Sequence, residues 1–82
     1  MRSLEIKASA VKELEGLPEK IRLQIAPHIR GLRDNPYPSN SKKLKNSNGN
    51  YRLRSGSYRV IYSILPDKIL IQAIGDRKDI YG

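Results

Sequence analysis

Three arginines spaced for phosphate chemistry occur in one short segment, YRLRSGSYRVIY, at residues 51–62. Side chains on a β-strand alternate between its two faces, so Arg52 and Arg54 share one face. The tripeptide SGS at residues 55–57 is typical of a hairpin turn, and a suitable register would place Arg59 on that face too. Arginine pairs with phosphate oxygens through a planar guanidinium that stays charged. The segment predicts a cationic cluster that could bind a phosphodiester, unless its arginines only keep a sheet edge soluble.

Further residues that could share this site lie before and after the predicted hairpin. Lys42, Lys43 and Lys45 come shortly before it, and Arg77 and Tyr81 follow in the closing segment GDRKDIYG. Lysines add charge for binding an RNA backbone, and a tyrosine can stack on a base or move a proton. Each residue taken singly is also consistent with a solvated surface charge or, for Tyr81, with a tail residue packed on the core. Together they predict a shallow groove formed by neighbouring strands and the tail.

The distribution of charge along the chain favours a polyanionic partner. The net charge is +8, from 16 lysines and arginines against 8 acidic residues. Residues 35–66 contain six basic residues and no acidic one, whereas residues 1–34 carry a net charge of +2 and residues 67–82 carry none. Such a block favours RNA, DNA or an acidic protein segment. It lacks the amphipathic helical pattern with large apolar anchors that binding to a membrane would need.

Length and composition bound the class of protein. The 82 residues predict a single domain, 1–82, with an aliphatic core, because phenylalanine and tryptophan are absent. Without cysteine there are no disulfides or thiolate metal sites, and the single histidine, His28, is expected on the surface or partly packed rather than in catalysis. The sequence offers no glycine-rich phosphate loop, so we expect neither a cofactor nor a metal. No apolar run resembles a signal peptide or a membrane span, which predicts a cytoplasmic protein.

The elements that must position these residues follow the order β-α-α-β-β-β. SLEIKA at residues 3–8 alternates like a half-buried strand. A helix is predicted over residues 9–16 with Ser9 as N-cap, and a second helix from Pro18 to about Asp34, where prolines prevent continuation. Its apolar residues fall every three or four positions and form one stripe, made up of Ile21, Ile25, Ile29 and Leu32.

The rest of the chain is predicted to complete a small sheet. NPYPSNSKKLKNSNGN at residues 35–50 is polar and predicts a long loop. The hairpin occupies residues 50–64, and ILIQAI at residues 69–74 is apolar enough for an interior strand. The sequence therefore predicts an α+β fold, in which a helical hairpin packs on one face of a mainly antiparallel four-stranded sheet.

The segments KKLK, YRLRSGSYRVIY and GDRKDIY in combination resemble the RelE/ParE superfamily of toxins, on the RelE side. LPEKIRLQI and DNPYP extend the resemblance to nearly the whole chain. It implies a small antiparallel sheet backed by a helical hairpin and the activity of a ribosome-dependent endoribonuclease, or mRNA interferase, of a type II toxin-antitoxin system. It also implies a metal-free attack of the ribose 2′-OH on the phosphodiester. The implied partners are a cognate antitoxin, the ribosome with its mRNA, and promoter DNA bound by the toxin-antitoxin complex.

The resemblance also assigns roles to individual residues. Arg52 and Arg54 stand where RelE-like toxins carry basic residues on the first hairpin strand. Arg59 and Arg77 match arginines that would stabilise charge developing on the phosphate. Tyr81 matches a terminal tyrosine that would stack on or orient the substrate nucleotide.

Two positions depart from the pattern of the family and leave the general base open. Arg54 replaces a lysine that serves some relatives as a candidate base, and an arginine does not release its proton at neutral pH. Asp76 replaces a histidine that often precedes the terminal arginine. Its carboxylate could accept the 2′-OH proton or pair with Arg77. The candidates for the base are therefore Asp76, Tyr81 and water.

Two other functions are compatible with the same resemblance. ParE-like members share the fold and poison DNA gyrase without catalysis. A degenerate toxin would only bind its antitoxin and act with it as a corepressor. Because the arginine and tyrosine set is retained, the nuclease is the leading prediction.

Overall fold

The computed structural model describes residues 2–45 and 49–76 and shows two helices and a five-stranded sheet. The elements are β1 (Ser3–Ile6), α1 (Ala8–Glu15), α2 (Glu19–Gly31), β2 (Ser41–Lys43), β3 (Asn50–Ser55), β4 (Tyr58–Ile64) and β5 (Lys68–Asp76). The strand order is β1-β5-β4-β3-β2, in which β1 runs parallel to β5 and all other pairs are antiparallel. The predicted α+β class with a mainly antiparallel sheet is confirmed.

The strand that the sequence did not predict is β2, so the predicted sheet of four is one strand short. Its three residues, SKK, are polar and carry none of the apolar alternation that marks a half-buried strand. Backbone pairing with β3 holds it, and the ladder continues beyond its first residue, where Arg54 N donates to Asn40 O at 2.9 Å. Asn40 Nδ2 in turn donates to Arg54 O at 2.8 Å. The strand thus depends on a partner that is distant in sequence.

Both helices begin or end slightly away from the predicted positions. α1 begins at Ala8 with Lys7 at the N-cap position, so the prediction of Ser9 as N-cap is wrong. The physical reason is that Lys7 N still donates to Ile71 O at 3.0 Å, so the chain turns into the helix directly from the sheet. α2 ends at Gly31, and bonds spanning three residues carry the turn on to Asp34, where Asp34 N donates to Gly31 O at 3.2 Å.

The core lies between the two helices and one face of the sheet. The predicted stripe of α2 supplies Ile25, Ile29 and Leu32, all buried, with Ile21 packed beside them. The sheet supplies side chains that share one face, namely Leu53, Val60, Tyr62, Ile69, Ile71 and Ile74. Because both helices cover this face, we call it the helix face and the opposite one the outer face. In the described part of the chain, no helix combines the length and the apolar composition needed to cross a membrane.

Candidate nucleic-acid interface

The hairpin turn sets the register that decides where the arginines point. β3 and β4 are joined by Gly56 and Ser57, so that Ser55 pairs with Tyr58. Gly56 has a φ of +60°, a conformation that residues with a Cβ adopt at a cost. A Cβ at this position would lie 3.1 Å from Gln24 Nε2, so helix α2 also limits the turn residue. The tight turn therefore fixes the pairing of the two strands.

This register places the three hairpin arginines on the outer face. Arg54 lies directly opposite Arg59 on the paired strand. Arg52 lies two residues before Arg54 on β3 and therefore points to the same face. The alternating neighbours Leu53 and Val60 are fully buried in the core. Because directly opposed residues share a face, the guanidinium groups lie on the side that the helices do not cover.

Strand β2 extends the same face by one lysine. Lys42 pairs with Arg52 and therefore lies on the outer face, whereas Lys43 pairs with Tyr51 and lies on the helix face. Lys45 is exposed beyond the end of β2. The three lysines of the predicted site are thus separated by the pleat of the strand. We use the name basic face for the cations that β2, β3 and β4 place on the outer face; they are Lys42, Arg52, Arg54 and Arg59.

A polar cleft of about 390 Å³ lies along the basic face. Its walls are formed by residues of β3, of β2 and of the loop before β2, namely Ser39, Asn40, Ser41, Lys42, Arg52 and Arg54. The loop wall is held in place because Ser41 Oγ donates to Pro38 O at 2.7 Å and Asn40 pairs with the backbone of Arg54. The cleft is therefore lined by cations and hydroxyl or amide groups, which are the groups that bind RNA backbones.

Arg54 and Arg59 face each other but differ in environment. Arg54 is exposed, whereas Arg59 is only 5% exposed. The Arg59 guanidinium is held at the turn, where one Nη donates to Tyr58 O at 3.0 Å and to Gly56 O at 3.3 Å. Like charges directly opposite each other on paired strands repel. A bound anion between the two side chains would offset this repulsion.

A row of hydrogen-bonded polar side chains crosses the outer face beside the basic face. Ser63 Oγ donates to Asn50 Oδ1 at 2.7 Å, and Gln72 Nε2 donates to Ser63 Oγ at 2.9 Å. The row joins β3, β4 and β5. These residues were not among the predicted site residues, because only the register of the strands brings them together. Their one signal in the sequence is that Ser63 and Gln72 each stand between apolar neighbours in a strand.

The comparisons with known proteins show the family. The model of the family described as the ParE toxin of the type II toxin-antitoxin system, parDE, matches residues 4–81. The chain belongs to this family. A RelE1 protein of Methanocaldococcus jannaschii, named as a toxin candidate, is 34% identical over 84 residues, which is 96% of this chain and 93% of that protein.

Two solved structures agree with this membership. The toxin has 28% identity to a chain of the RelB-RelE antitoxin-toxin complex from Methanococcus jannaschii, with a TM-score of 0.79 and 94% of each chain covered. It has 29% identity to a chain of the archaeal RelE-RelB complex from Pyrococcus horikoshii OT3, with a TM-score of 0.80 and coverage of 93% and 94%. The protein is therefore a RelE-like toxin of a type II toxin-antitoxin system.

The structure separates Asp76 from the basic face. Asp76 pairs with Tyr58, which lies on the helix face, and it lines a second cleft of about 300 Å³ together with Lys12 and Glu13 of α1. The cause is an irregularity in the pairing of β4 with β5 between Ile61 and Tyr62, beyond which the alternation of β5 is reversed. The predicted partners Arg77 and Tyr81 lie outside the described residues.

The Tyr62 phenol ties the loop before β2 to the core. Burial raises the pKa of the Tyr62 phenol above its ordinary value of 10.0, while a hydrogen bond with Ser41 opposes the shift. The neutral hydroxyl donates to Pro36 O at 2.8 Å.

Among the residues that the structure describes, no three His, Cys, Asp or Glu side chains are grouped to hold a metal ion.

Proposed function

We propose that this toxin is an endoribonuclease that acts on the ribosome in the cytoplasm and cleaves mRNA. In the reaction the ribose 2′-OH attacks the adjacent phosphorus, the bond to the 5′ oxygen breaks, and the products carry a 2′,3′-cyclic phosphate and a 5′-OH. The observation that carries the proposal is the register that places the basic face on one side of the sheet, where Lys42, Arg52 and Arg54 line one polar cleft. Phosphoryl transfer of this kind depends mainly on positioning the substrate and on stabilising the negative charge that develops on the phosphate. Cations held in fixed positions do both.

The two facing arginines are proposed to act on the phosphate that reacts. Arg59 is held by the backbone at the turn, so its charge is preorganised, and Arg54 opposite it is exposed to an incoming oxyanion. Arg52 and Lys42, which pair with each other across β2 and β3, would bind a neighbouring phosphate. Removing one preorganised donor of this type typically slows a reaction about 10²- to 10³-fold.

The remaining residues of the predicted site enter the proposal with different support. Arg77 is proposed to add a further charge on the phosphate, and Tyr81 to stack on or orient the nucleotide. Asp76 would have to reach past the end of β5 to accept a proton on the outer face, because its register places it on the helix face. We therefore propose that Tyr81 or water, rather than Asp76, accepts the proton of the attacking 2′-OH.

A cognate antitoxin is the proposed inhibitor of the toxin. The RelE relatives from Methanococcus jannaschii and Pyrococcus horikoshii were solved in complexes with RelB. The net charge of +8 suits an antitoxin whose toxin-binding segment is acidic. The toxin-antitoxin complex is further proposed to bind its own promoter DNA.

Inhibition of DNA gyrase is a second candidate, and the family description favours it. The matching model is that of the ParE toxin rather than of RelE. A gyrase inhibitor would not need arginines gathered around a cleft, so substitutions in the basic face separate the two functions.

The test is to map transcript ends after induced expression in bacteria. Clustered cuts inside translated codons are expected for the native chain, and Arg59→Ala should remove them. Arg22→Ala, which changes an exposed arginine of α2, is the matched control and should leave them in place. Loss of gyrase supercoiling without any cuts would instead identify the gyrase inhibitor. If neither effect is observed, the role of a corepressor is the one that remains.

A further inference from the structure

Tyr37 presents an aromatic ring to solvent on the loop that leads into β2. Among the described residues, Tyr37 and Leu23 are the large hydrophobic side chains that remain most exposed, at 58% and 68%. Leu23 lies on the outside of α2, where single exposed apolar residues are common. Tyr37 differs because the structure holds its ring in a fixed position.

The Tyr37 ring packs against the ring of Tyr51, which in turn packs on Tyr62. It makes an edge contact with the ring of Tyr51 at a centroid distance of 5.6 Å and an interplanar angle of 69°. Tyr51 is stacked on the buried Tyr62 at 5.7 Å and 28°. The exposed ring is thus the outermost member of a row that begins in the core.

The backbone around Tyr37 is held as well. Tyr37 N donates to Asn35 Oδ1 at 3.1 Å, and the preceding carbonyl, Pro36 O, accepts from Tyr62 Oη at 2.8 Å. On the other side Pro38 O accepts from Ser41 N at 3.0 Å. Two prolines further restrict this segment. A ligand that contacts the ring therefore binds without a large entropic cost for ordering the loop.

The segment of the chain that carries the ring is basic. Lys43 pairs with Tyr51 and is exposed on the same face of the sheet, where Tyr37 contacts Tyr51. No acidic residue occurs between positions 35 and 66. An aromatic ring beside a lysine is the combination with which proteins bind single-stranded nucleic acid, since the ring stacks on a base and the cation pairs with the backbone. We call Tyr37, Tyr51 and Lys43 the tyrosine patch.

The loop and β2 connect this patch to the cleft on the basic face. Ser39 and Asn40 line the cleft and are separated from Tyr37 in the chain only by Pro38. The consecutive residues Lys42 and Lys43 point to opposite faces at the open edge of the sheet. A strand of RNA that leaves the cleft across β2 therefore meets a cation on each side of the edge and then the exposed ring.

The geometry points to the tyrosine patch as a second RNA contact, at which Tyr37 stacks on a base of the strand that crosses the β2 edge from the basic face. This inference deepens the proposed function and takes from it the placement of the RNA in the cleft. A protein partner fits the patch less well, because a stable protein interface needs a broader apolar surface than one ring.

The stacking is tested by fluorescence anisotropy with a labelled oligouridine and the full-length purified toxin. Tyr37→Ala should weaken binding about tenfold, within the range measured for loss of one base-stacking aromatic residue. Tyr37→Phe keeps the ring and should bind like the native chain, whereas Tyr37→Leu keeps apolar bulk alone and should behave like Tyr37→Ala. Leu23→Ala is the control for loss of an exposed apolar side chain and should have no effect.

The charge is tested by the salt dependence of the same binding. Lys43→Gln should reduce the slope of log affinity against log salt by about 0.7, the value for one phosphate contact with a single strand. Lys20→Gln removes an equal charge from an exposed position of α2 and should leave the slope unchanged. Thermal unfolding of each variant checks that the fold is retained.

The outcomes distinguish this inference from the proposed function. If Tyr37→Ala binds RNA like the native chain while Arg54→Ala binds weakly, the tyrosine patch is not an RNA contact and the nuclease proposal is untouched. If Tyr37→Ala binds RNA weakly but the native toxin cuts no transcript in cells, the RNA contact stands and the nuclease proposal fails. If Tyr37→Ala weakens binding of the antitoxin and not of RNA, the patch is a protein interface and the inference is overturned.

Discussion

At the scale of single residues, Arg54 and Arg59 form a pair of like charges on adjacent strands. Their side chains face each other across the hairpin, and Arg59 is also buried. Two like charges placed directly opposite each other repel. An anion bound between them would offset this repulsion, and a phosphodiester substrate would supply one.

Replacing Arg54 should therefore separate stability from activity. Arg54→Gln removes the facing charge and is expected to raise the free energy of unfolding by about 0.2–1 kcal/mol at low salt, while cleavage is lost. Urea unfolding at low and high salt measures the effect, which salt should diminish. A variant that is less stable than the native chain at low salt would contradict the repulsion.

Tyr62 gives a prediction on pH at the same scale. Burial raises its pKa above 10.0 in the folded chain, so the folded state holds the phenol proton more tightly than the unfolded state does. The stabilisation is complete below pH 10 and is lost as the pH rises through the higher folded value. Tyr62→Phe should lower the free energy of unfolding by about 1 kcal/mol at neutral pH, because Pro36 O loses its donor. When the pH is raised above 10, this variant should lose less stability than the native chain does.

Urea unfolding of both chains at neutral pH and above pH 10 provides the comparison. The pKa of Lys68 is also raised, first by its hydrogen bond to Glu5 and then by the charge of Glu5, so alkaline pH affects both chains through this pair as well. The difference between the native chain and Tyr62→Phe isolates the phenol. An equal alkaline loss in both would show that Tyr62 titrates normally.

At the scale of elements, the hairpin turn is the feature on which the basic face depends. Gly56 has a positive φ and little room for a Cβ near Gln24, whereas Gly49 has a φ of +78° and open space around it. Both Gly56→Ala and Gly49→Ala should cost about 1–2 kcal/mol through the backbone. Gly56→Ala should cost more, and Gln24→Ala in the same chain should return it to the cost of Gly49→Ala. Equal costs in the single variants, measured by urea unfolding, would show that α2 does not restrict the turn.

The elements also show what the sequence could and could not predict. Period-two alternation placed Arg52 and Arg54 together, and the SGS turn allowed the register that adds Arg59. Strand β2 could not be predicted, because SKK has no apolar alternation and is held by hydrogen bonds to a distant strand.

The position of Asp76 was beyond the sequence for a related reason. Strict alternation from the buried Ile69 and Ile71 would turn Asp76 to the outer face. The irregularity in the pairing of β5 with β4 buries Ile74 instead of Ala73 and turns Asp76 to the helix face. A single extra residue in a strand leaves no mark in composition or charge, and it moved one candidate base away from the predicted site.

At the scale of the whole molecule, charge is distributed unevenly across the sheet. The basic face occupies β2, β3 and β4, whereas the far edge carries the compensated pair of Lys68 and Glu5, whose Nζ and Oε1 atoms lie 2.9 Å apart. A polyanion is therefore attracted to one end of the sheet rather than to the molecule in general.

This asymmetry predicts the salt dependence of RNA binding. Four phosphate contacts, one for each cation of the basic face, contribute about −3 to the slope of log affinity against log salt for single-stranded RNA, apart from any contribution of Lys43. Anisotropy titrations over a range of salt concentrations measure it. A slope near zero would contradict an electrostatic interface.

The central claim is that the basic face, and not positive charge in general, cleaves mRNA. It is tested most directly with purified ribosomes programmed with a defined mRNA, by comparing two triple variants of equal net charge. Arg52, Arg54 and Arg59 are replaced by alanine in one, and the exposed Arg22, Arg30 and Arg33 on the helical side in the other. We predict that the first variant cleaves more than about 10²-fold more slowly than the native toxin and that the second keeps its rate. Equal rates in the two variants would contradict the account.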